Sequence, residues 1–362
     1  MKKNNTLKVL VAPLDWGLGH STRCVTIIRR LVLQGCSVFI AAEGPSRKLL
    51  QLEFPQLLFL PLQGYNIKYS RSKRNLPFKI LCQLPHIWNI VKKEHLWLLE
   101  VVAKHNINVI ISDNRFGLWH PHITCIFVTH QLQIKGPNKW IESLLLKLNY
   151  QQINRFTNCW IPDFEGAVNI AGVLSHPLTL PRVPVRYIGA LSRLNHHQFG
   201  PFIYDVLIII SGPEPQRGMF EKIIMDNLAS FEGNVLLIRG LPGNHVELNK
   251  TKGVEIRNHL DATDLERAYC LSKFVLSRAG YTTIMDIIKL KKKSILVPTP
   301  GQTEQEYLAK HLQDQSLSLT YAQDEFDFKI ALKTAESFNY KFLELDMDLY
   351  KDAVDDLVKD YS

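Results

Sequence analysis

No apolar run in the 362-residue chain approaches the roughly 20 residues a membrane-crossing helix needs, although 46% of the residues are hydrophobic. The amino terminus, MKKNNTLKVLVAP, has two lysines and then enters a short strand pattern. It lacks the apolar core and cleavage site of a secretory signal, so none is expected. Cysteine is sparse: Cys24, Cys36, Cys82, Cys125, Cys159 and Cys270 form no Cys-x-x-Cys pair. That excludes the usual zinc-knuckle spacing, and the expectation is reduced core cysteines in the cytoplasm. GxGxxG is absent and so is Gly-Lys-Ser/Thr, which removes the dinucleotide fingerprint and the NTPase phosphate loop. No Asp-x-Asp triplet occupies a loop that follows a strand pattern. No nucleic-acid motif accompanies the basic residues, so no nucleic-acid partner is expected.

What is present is an ordinary globular composition with 21% charged residues and a formal charge of +9. The length suits two domains, each large enough for its own core, and the charge favours an anionic partner. The most informative stretch runs from Phe274 to Leu312. Phe274-Val275-Leu276 reads as a strand, Ser277-Arg278-Ala279-Gly280 breaks it, and Thr282-Thr283 with Ile284, Ile287 and Ile288 starts a helix. A second apolar run, Ser294 to Val297, ends in Pro298-Thr299-Pro300-Gly301, and a polar helix follows from Gln302. This is a right-handed parallel unit. Its loops leave the carboxyl ends of strands, where open α/β sheets bind ligands.

The same layout recurs twice. Lys8 to Pro13 is a buried-type strand followed by Asp15-Trp16-Gly17-Leu18-Gly19-His20-Ser21-Thr22-Arg23 and a helical pattern. A glycine-rich turn of this kind lets backbone N–H groups approach an anion. The imidazole of His20 suits a general base or a phosphate ligand, though a plain cap-region histidine has the same letters. Asp205 to Ile210 is a strand followed by Ser211-Gly212-Pro213-Glu214-Pro215-Gln216-Arg217. Strands over 108–112 and 124–129 end in Asp113 and His130, which point to the same edge as His20. Residues 68–104 hold eight Lys or Arg against two Glu, among Trp88, Trp97 and many Leu and Ile. Such a mixture suits an anionic membrane surface, and equally a helix with an apolar inner side and solvated lysines outside. The last twenty residues carry seven acidic and two basic side chains and read as a solvated helix.

Taken together, GLGHSTR, SGPEPQR, Arg278-Ala279-Gly280 with Asp286, and Gln305-Glu306-Tyr307 resemble a GT-B glycosyltransferase, in particular family 28. That family includes the N-acetylglucosaminyltransferase of the peptidoglycan lipid intermediate. GLGHSTR also resembles the GxGHxxR pattern of UDP-sugar hydrolases on the same fold. The sequence departs from family 28 where Pro213 and Pro215 replace small residues, where Asp286 replaces Glu, and where Glu306 replaces the second of two glutamines.

The resemblance implies two Rossmann-like parallel-sheet domains facing a central cleft. The implied division is an acceptor-side domain over 1–190, a linker over 191–200, a nucleotide-sugar domain over 201–345, and a helix over 346–362 packing back on the first domain. It further implies an inverting hexosyl transfer from a UDP-sugar donor to an unknown acceptor hydroxyl, metal-independent and without a cofactor. His20, or Asp113 or His130, would be the base. Gly17, Gly19, Ser211, Gly212, Arg217, Arg278, Gly280, Asp286, Gln305 and Glu306 would serve the donor. Domain closure over the donor would exclude water. The implied setting is cytoplasmic, peripheral at the inner membrane face. A UDP-sugar hydrolase and a non-catalytic sugar-nucleotide sensor are the alternatives.

Overall fold

The structure, a computed structural model, describes residues 6–65, 83–136, 138–195, 200–229, 231–242 and 253–361. Residues 68–82 of the basic stretch and 196–199 of the linker lie outside the described residues. The chain forms two compact units. One contains the described residues up to Leu191 and those from Leu345 onward; the other spans Ser192 to Glu344.

The first unit is a parallel sheet of seven strands: β1 (Lys8–Pro13), β2 (Ser37–Ala41), β3 (Leu58–Leu60), β4 (Val109–Asp113), β5 (Thr124–Val128), β6 (Asn158–Ile161) and β7 (Val185–Tyr187). Their order across the sheet is β3-β2-β1-β4-β5-β6-β7. The strands read as unbroken apolar runs because helices cover both faces of a parallel sheet. Thus Val9, Leu10, Val11, Ile110 and Ile111 are wholly buried. The chain winds outward from β1 one way and from β4 the other, so the sheet has its switch point between them. Pro13 lies opposite Asp113 in the register, which brings the carboxyl ends of β1 and β4 level. Helix α1 (Leu18–Leu33) leaves β1 through a loop of four residues. It seats Cys24, Val25, Ile27, Ile28 and Leu31 in the core at helical spacing.

Helices α2 (Gly44–Glu53), α3 (Leu84–His105) and α4 (Lys139–Ile153) complete the layers. Helix α4 begins at Lys139 because the Asn138 side chain accepts a hydrogen bond from Ile141 N at 2.9 Å and caps the first turn. The carboxyl-terminal helix also belongs to this unit. Asp355 on it accepts from Arg30 Nε at 2.6 Å and from Gln34 at 2.7 Å. Tyr361 Oη donates to Thr124 Oγ1 at 2.6 Å.

The second unit repeats the plan with six parallel strands: β8 (Tyr204–Ile209), β9 (Val235–Ile238), β10 (Val254–Arg257), β11 (Ser272–Ser277), β12 (Lys293–Leu296) and β13 (Leu319–Thr320). Their order, β10-β9-β8-β11-β12-β13, puts its switch point between β8 and β11. Helices α5 (Gln216–Leu228), α6 (Ala262–Cys270), α7 (Tyr281–Lys289), α8 (Thr303–Asp314) and α9 (Phe328–Ser337) flank it, and α10 (Leu349–Lys359) is the closing helix of the chain. Val206, Ile208, Phe220, Leu237, Leu276 and Ile295 are at the centre of its core. Strand β13 is only two residues long and leaves no periodicity in the sequence to read. Gly240 needs its left-handed backbone, φ 67°, and a Cβ there would come within 2.3 Å of Ile210 O.

Candidate active site

At the switch point of the first unit, four polar side chains from three elements meet. Arg23 and His20 project from the first turns of α1, three residues apart and so on one helix face. Asp113 ends β4, and His130 follows β5. Asp113 is wholly buried and Arg23 is 2% exposed. Arg23 Nε donates to Asp113 Oδ2 at 2.6 Å, and its Nη2 donates to the second oxygen. His20 Nδ1 stands 3.0 Å from Asp113 Oδ1. Arg23 Nη1 lies 3.1 Å from His130 Nδ1.

These contacts fix proton positions by elimination. A guanidinium only donates, so His130 Nδ1 must accept and the ring is neutral with its proton on Nε2. An ionised carboxylate only accepts, so the contact with Asp113 is a hydrogen bond with the proton on His20 Nδ1, and Nε2 is the ring nitrogen not engaged by the carboxylate. Arg23 Nη2 is also 3.0 Å from that same Nδ1, so the guanidinium and the carboxylate both meet this ring nitrogen. Burial alone would raise the Asp113 carboxyl, but the Arg23 charge and the His20 contact hold it far below the usual carboxylate range. Burial, followed by the Asp113 charge, pushes the neighbouring Cys24 thiol well up, so it stays an inert thiol. The His20 side chain keeps 15% exposure, the one member of the pair with access to solvent.

Gly17 sits before α1 at φ 88°, a conformation that favours glycine. The N-cap position of that helix carries no side-chain cap, and the positive end of its dipole favours an anion. The loop just before it is pinned by Asp15, whose Oδ1 accepts from Tyr65 N at 3.0 Å.

The second unit presents the same arrangement at β8 and β11. Ser211 and Gly212, φ 104°, follow β8, and Arg278 to Gly280 follow β11. Helices α7 and α8 begin without a side-chain cap, whereas in the first turn of α5 Glu214 Oε2 accepts from Gly218 N at 3.1 Å. By contrast α6 and α9 are capped by Asp261 and Asp327. The uncapped N–H groups and helix dipoles favour an anion.

The charged side chains expected at the donor are largely engaged within the unit. Arg217 pairs with Glu214 at 2.6 Å and Glu221 at 2.7 Å. Arg278 is 1% exposed and bonds to carbonyls and an amide. Asp286 accepts from Ser192 Oγ at 2.5 Å. Burial pushes its carboxyl up to about 6 against the opposing pull of Ser192, Arg193 and Lys289. Gln305 Oε1 accepts from Thr299 N at 2.9 Å and Glu306 Oε1 from Gly301 N at 2.9 Å, so both fasten the 298–302 turn. Sequence reasoning placed Arg23 in the GLGHSTR motif without a role of its own, and it missed Ser192 and Gln323. For Arg23 the signal was its position one helical step from His20; the other two sit in segments with no pattern.

Residues 243–345 match the glycosyltransferase family 28 C-terminal domain. Over 334 residues the chain is 21% identical to the UDP-N-acetylglucosamine--N-acetylmuramyl-(pentapeptide) pyrophosphoryl-undecaprenol N-acetylglucosamine transferase of Buchnera aphidicola subsp. Schizaphis graminum (strain Sg), covering 89% of this chain and 86% of that protein. Among solved structures it is similar to the glycosyltransferase of kitacinnamycin, with a TM-score of 0.62, 12% identity, and 98% and 94% of the two chains covered. SnogD from Streptomyces nogalater gives 0.59 at 10% identity over 99% and 100%. Acinetobacter baumannii MurG gives 0.52 at 12% identity over 96% and 93%. The fold is that of GT-B glycosyltransferases, and the likeness to family 28 lies in the second unit.

Proposed function

We propose that this glycosyltransferase of the family 28, GT-B kind moves a hexose from a UDP-sugar to an acceptor hydroxyl, inverting the anomeric carbon without a metal ion. The observation that carries the reading is the His20–Asp113 pair, held by Arg23 at a sheet switch point. His20 Nε2 takes the proton of the acceptor hydroxyl. The freed oxygen attacks the anomeric carbon, and the bond from that carbon to the diphosphate oxygen breaks with its electron pair leaving on UDP. One displacement on one face inverts the centre. Asp113 keeps the imidazole in the right tautomer and stabilises the imidazolium that forms. Asp113 is thus the orienting partner in this reading, not a base, because it is buried and already ionised against Arg23.

In the same reading the second unit holds the donor. N–H groups of the 211–216 loop and of the α7 start meet the departing diphosphate, aided by helix dipoles. UDP is chosen over other nucleotides because the Buchnera relative is named for a UDP-sugar. That relative is also named for a polyprenyl-linked acceptor, which suits a surface able to lean on a membrane. Helix α3 exposes Trp88, Leu96 and Leu99, and α4 exposes Trp140, Leu144 and Leu148, with Lys92, Lys93, Lys139 and Lys147 exposed on the same two helices.

The test is incubation with UDP-, GDP- and dTDP-sugars, reading thermal shift and nucleotide release with and without polyprenyl-diphosphate-linked sugar. Stabilisation by UDP-sugars, little release into water and faster release with the acceptor are expected. His20→Ala should abolish release and leave stabilisation intact. Fast release into water, lost in His20→Ala, would make the enzyme a hydrolase. Turnover that survives His20→Ala would remove His20 as the base, and no shift with any nucleotide would overturn the reading.

A further inference from the structure

The guanidinium of Arg278 is the hub of the second unit's switch point. It leaves the end of β11 and is 1% exposed. Its Nη1 donates to Val297 O and to Pro298 O, both at 3.1 Å. Its Nη2 donates to Gln323 Oε1 at 2.6 Å and approaches Gln216 O at 3.4 Å. One planar group therefore touches three segments remote in sequence: the start of α5, the turn after β12, and the loop after β13. Its flat face lies over the Phe220 ring, 4.0 Å from the centroid. No carboxylate lies within ion-pair distance of it among the described residues. Burial pushes the group down to about 9, so it remains cationic at neutral pH.

We propose that Arg278 is a positioning residue, which ties the 211–216 loop to the 297–298 turn and the Gln323 loop without touching the donor. This rests on the donor reading above and departs from the direct diphosphate contact that the resemblance implied. Three features argue for it. Both terminal nitrogens direct their hydrogens to groups of the protein itself, and only the buried Nε has no hydrogen-bond partner among the described residues. A lysine has one point of charge and cannot span a carbonyl pair and an amide in one plane. A buried cation without a carboxylate is costly unless its surroundings supply dipoles. The carbonyls of residues 297, 298 and 216 supply them, and they do so only if the three segments keep this arrangement. The loops that offer N–H groups to the diphosphate are thus held from behind, and the uncancelled charge raises the potential that an anion meets there.

The experiment compares wild type, Arg278→Lys, Arg278→Met and the half-buried Gln323→Ala by amide hydrogen exchange in the unliganded protein. Binding of UDP and of uridine is measured alongside. A tie predicts that exchange in 211–217 and 297–302 speeds up in both Arg278 variants by about tenfold or more, one lost hydrogen bond's worth or above. Arg278→Lys should not rescue it. Gln323→Ala should speed exchange around 320–325 first, by a smaller factor, and it guards against an Arg278 variant that fails to fold. UDP and uridine affinities should then fall together, because the whole pocket loosens. A direct phosphate ligand gives the opposite pattern: unchanged exchange, unchanged uridine binding, weaker UDP binding, and partial rescue by lysine. That pattern would overturn the proposal. If wild type binds no UDP, the donor reading fails, while the exchange data still decide whether Arg278 ties the loops.

Discussion

Replacing Asp113 by Asn changes one atom at the centre of the first unit's polar cluster and tests the base assignment directly. The carboxylate is wholly buried and receives Arg23 on both oxygens and His20 on one. An amide has only one oxygen. Arg23 can only donate, so the amide oxygen must turn to Arg23, and the amide N–H group then faces His20 Nδ1. His20 Nδ1 must accept, its proton moves to Nε2, and the lone pair that receives the acceptor's proton is gone. The same substitution in another His–Asp pair, the serine protease one, lowers turnover by about 10⁴; a fall of about 10³–10⁴ is expected here. Arg23 also becomes a buried cation without a counter-charge, at about 3–5 kcal/mol. For a unit of this size that corresponds to roughly 6–20 °C in its unfolding temperature.

The assay is UDP release at saturating donor, paired with donor affinity and thermal unfolding. Turnover should fall and donor affinity should hold, because the proposed reading places the donor on the other unit. Adding Asp113→Asn to His20→Ala should cost nothing further, since the two act as one device. A variant within tenfold of wild type, or losses that multiply in the double mutant, would refute the argument. The pair's pH behaviour follows from its sign. A carboxyl held below its unfolded value stabilises the fold above about pH 4 and loses that contribution only as the pH falls further. Between pH 5 and 8 its contribution should therefore be flat.

Asp286 should behave oppositely. Its carboxyl sits at about 6 in the folded protein, so its contribution is fully present below about pH 4 and lost as the pH rises through 6. Asp286→Asn should raise stability at pH 8 by at most about 3 kcal/mol and not at all at pH 4; a gain independent of pH would contradict the cause. On the membrane side, the protein should co-sediment with phosphatidylglycerol vesicles at low salt and less at high salt. Trp140→Glu with Leu144→Glu should weaken this without changing donor binding, and no sedimentation at low salt would sink the idea.

The fold was legible wherever the signal was local. Runs such as KVLVAP and YDVLII, each closed by a glycine-bearing turn, announce parallel strands because nothing else buries so continuous an apolar segment that short. His20 was legible for the same reason, as a titratable residue one turn past a strand. The strand ends also put Asp113 and His130 at the same edge as His20, but which side chain pairs with which was not legible. Arg23 and Asp113 are 90 residues apart, and Ser192 and Asp286 are 94 apart. No periodicity spans such distances; only the sheet order, with β4 beside β1, brings the first pair together.

The donor-side residues make a sharper point about motifs. Gln305, Glu306, Arg217 and Arg278 are the residue types that a nucleotide site would employ, and each here grips a loop or a neighbouring side chain. In the proposed reading the direct contacts to a diphosphate fall to groups that carry no sequence signature, backbone N–H donors at loops and helix starts. Such donors work only at fixed positions, since a small loop displacement lengthens every bond to an oxyanion at once. Side chains committed to holding those loops are therefore as necessary to donor binding as any direct ligand. Their loss differs in one measurable respect: it loosens the site before any donor arrives.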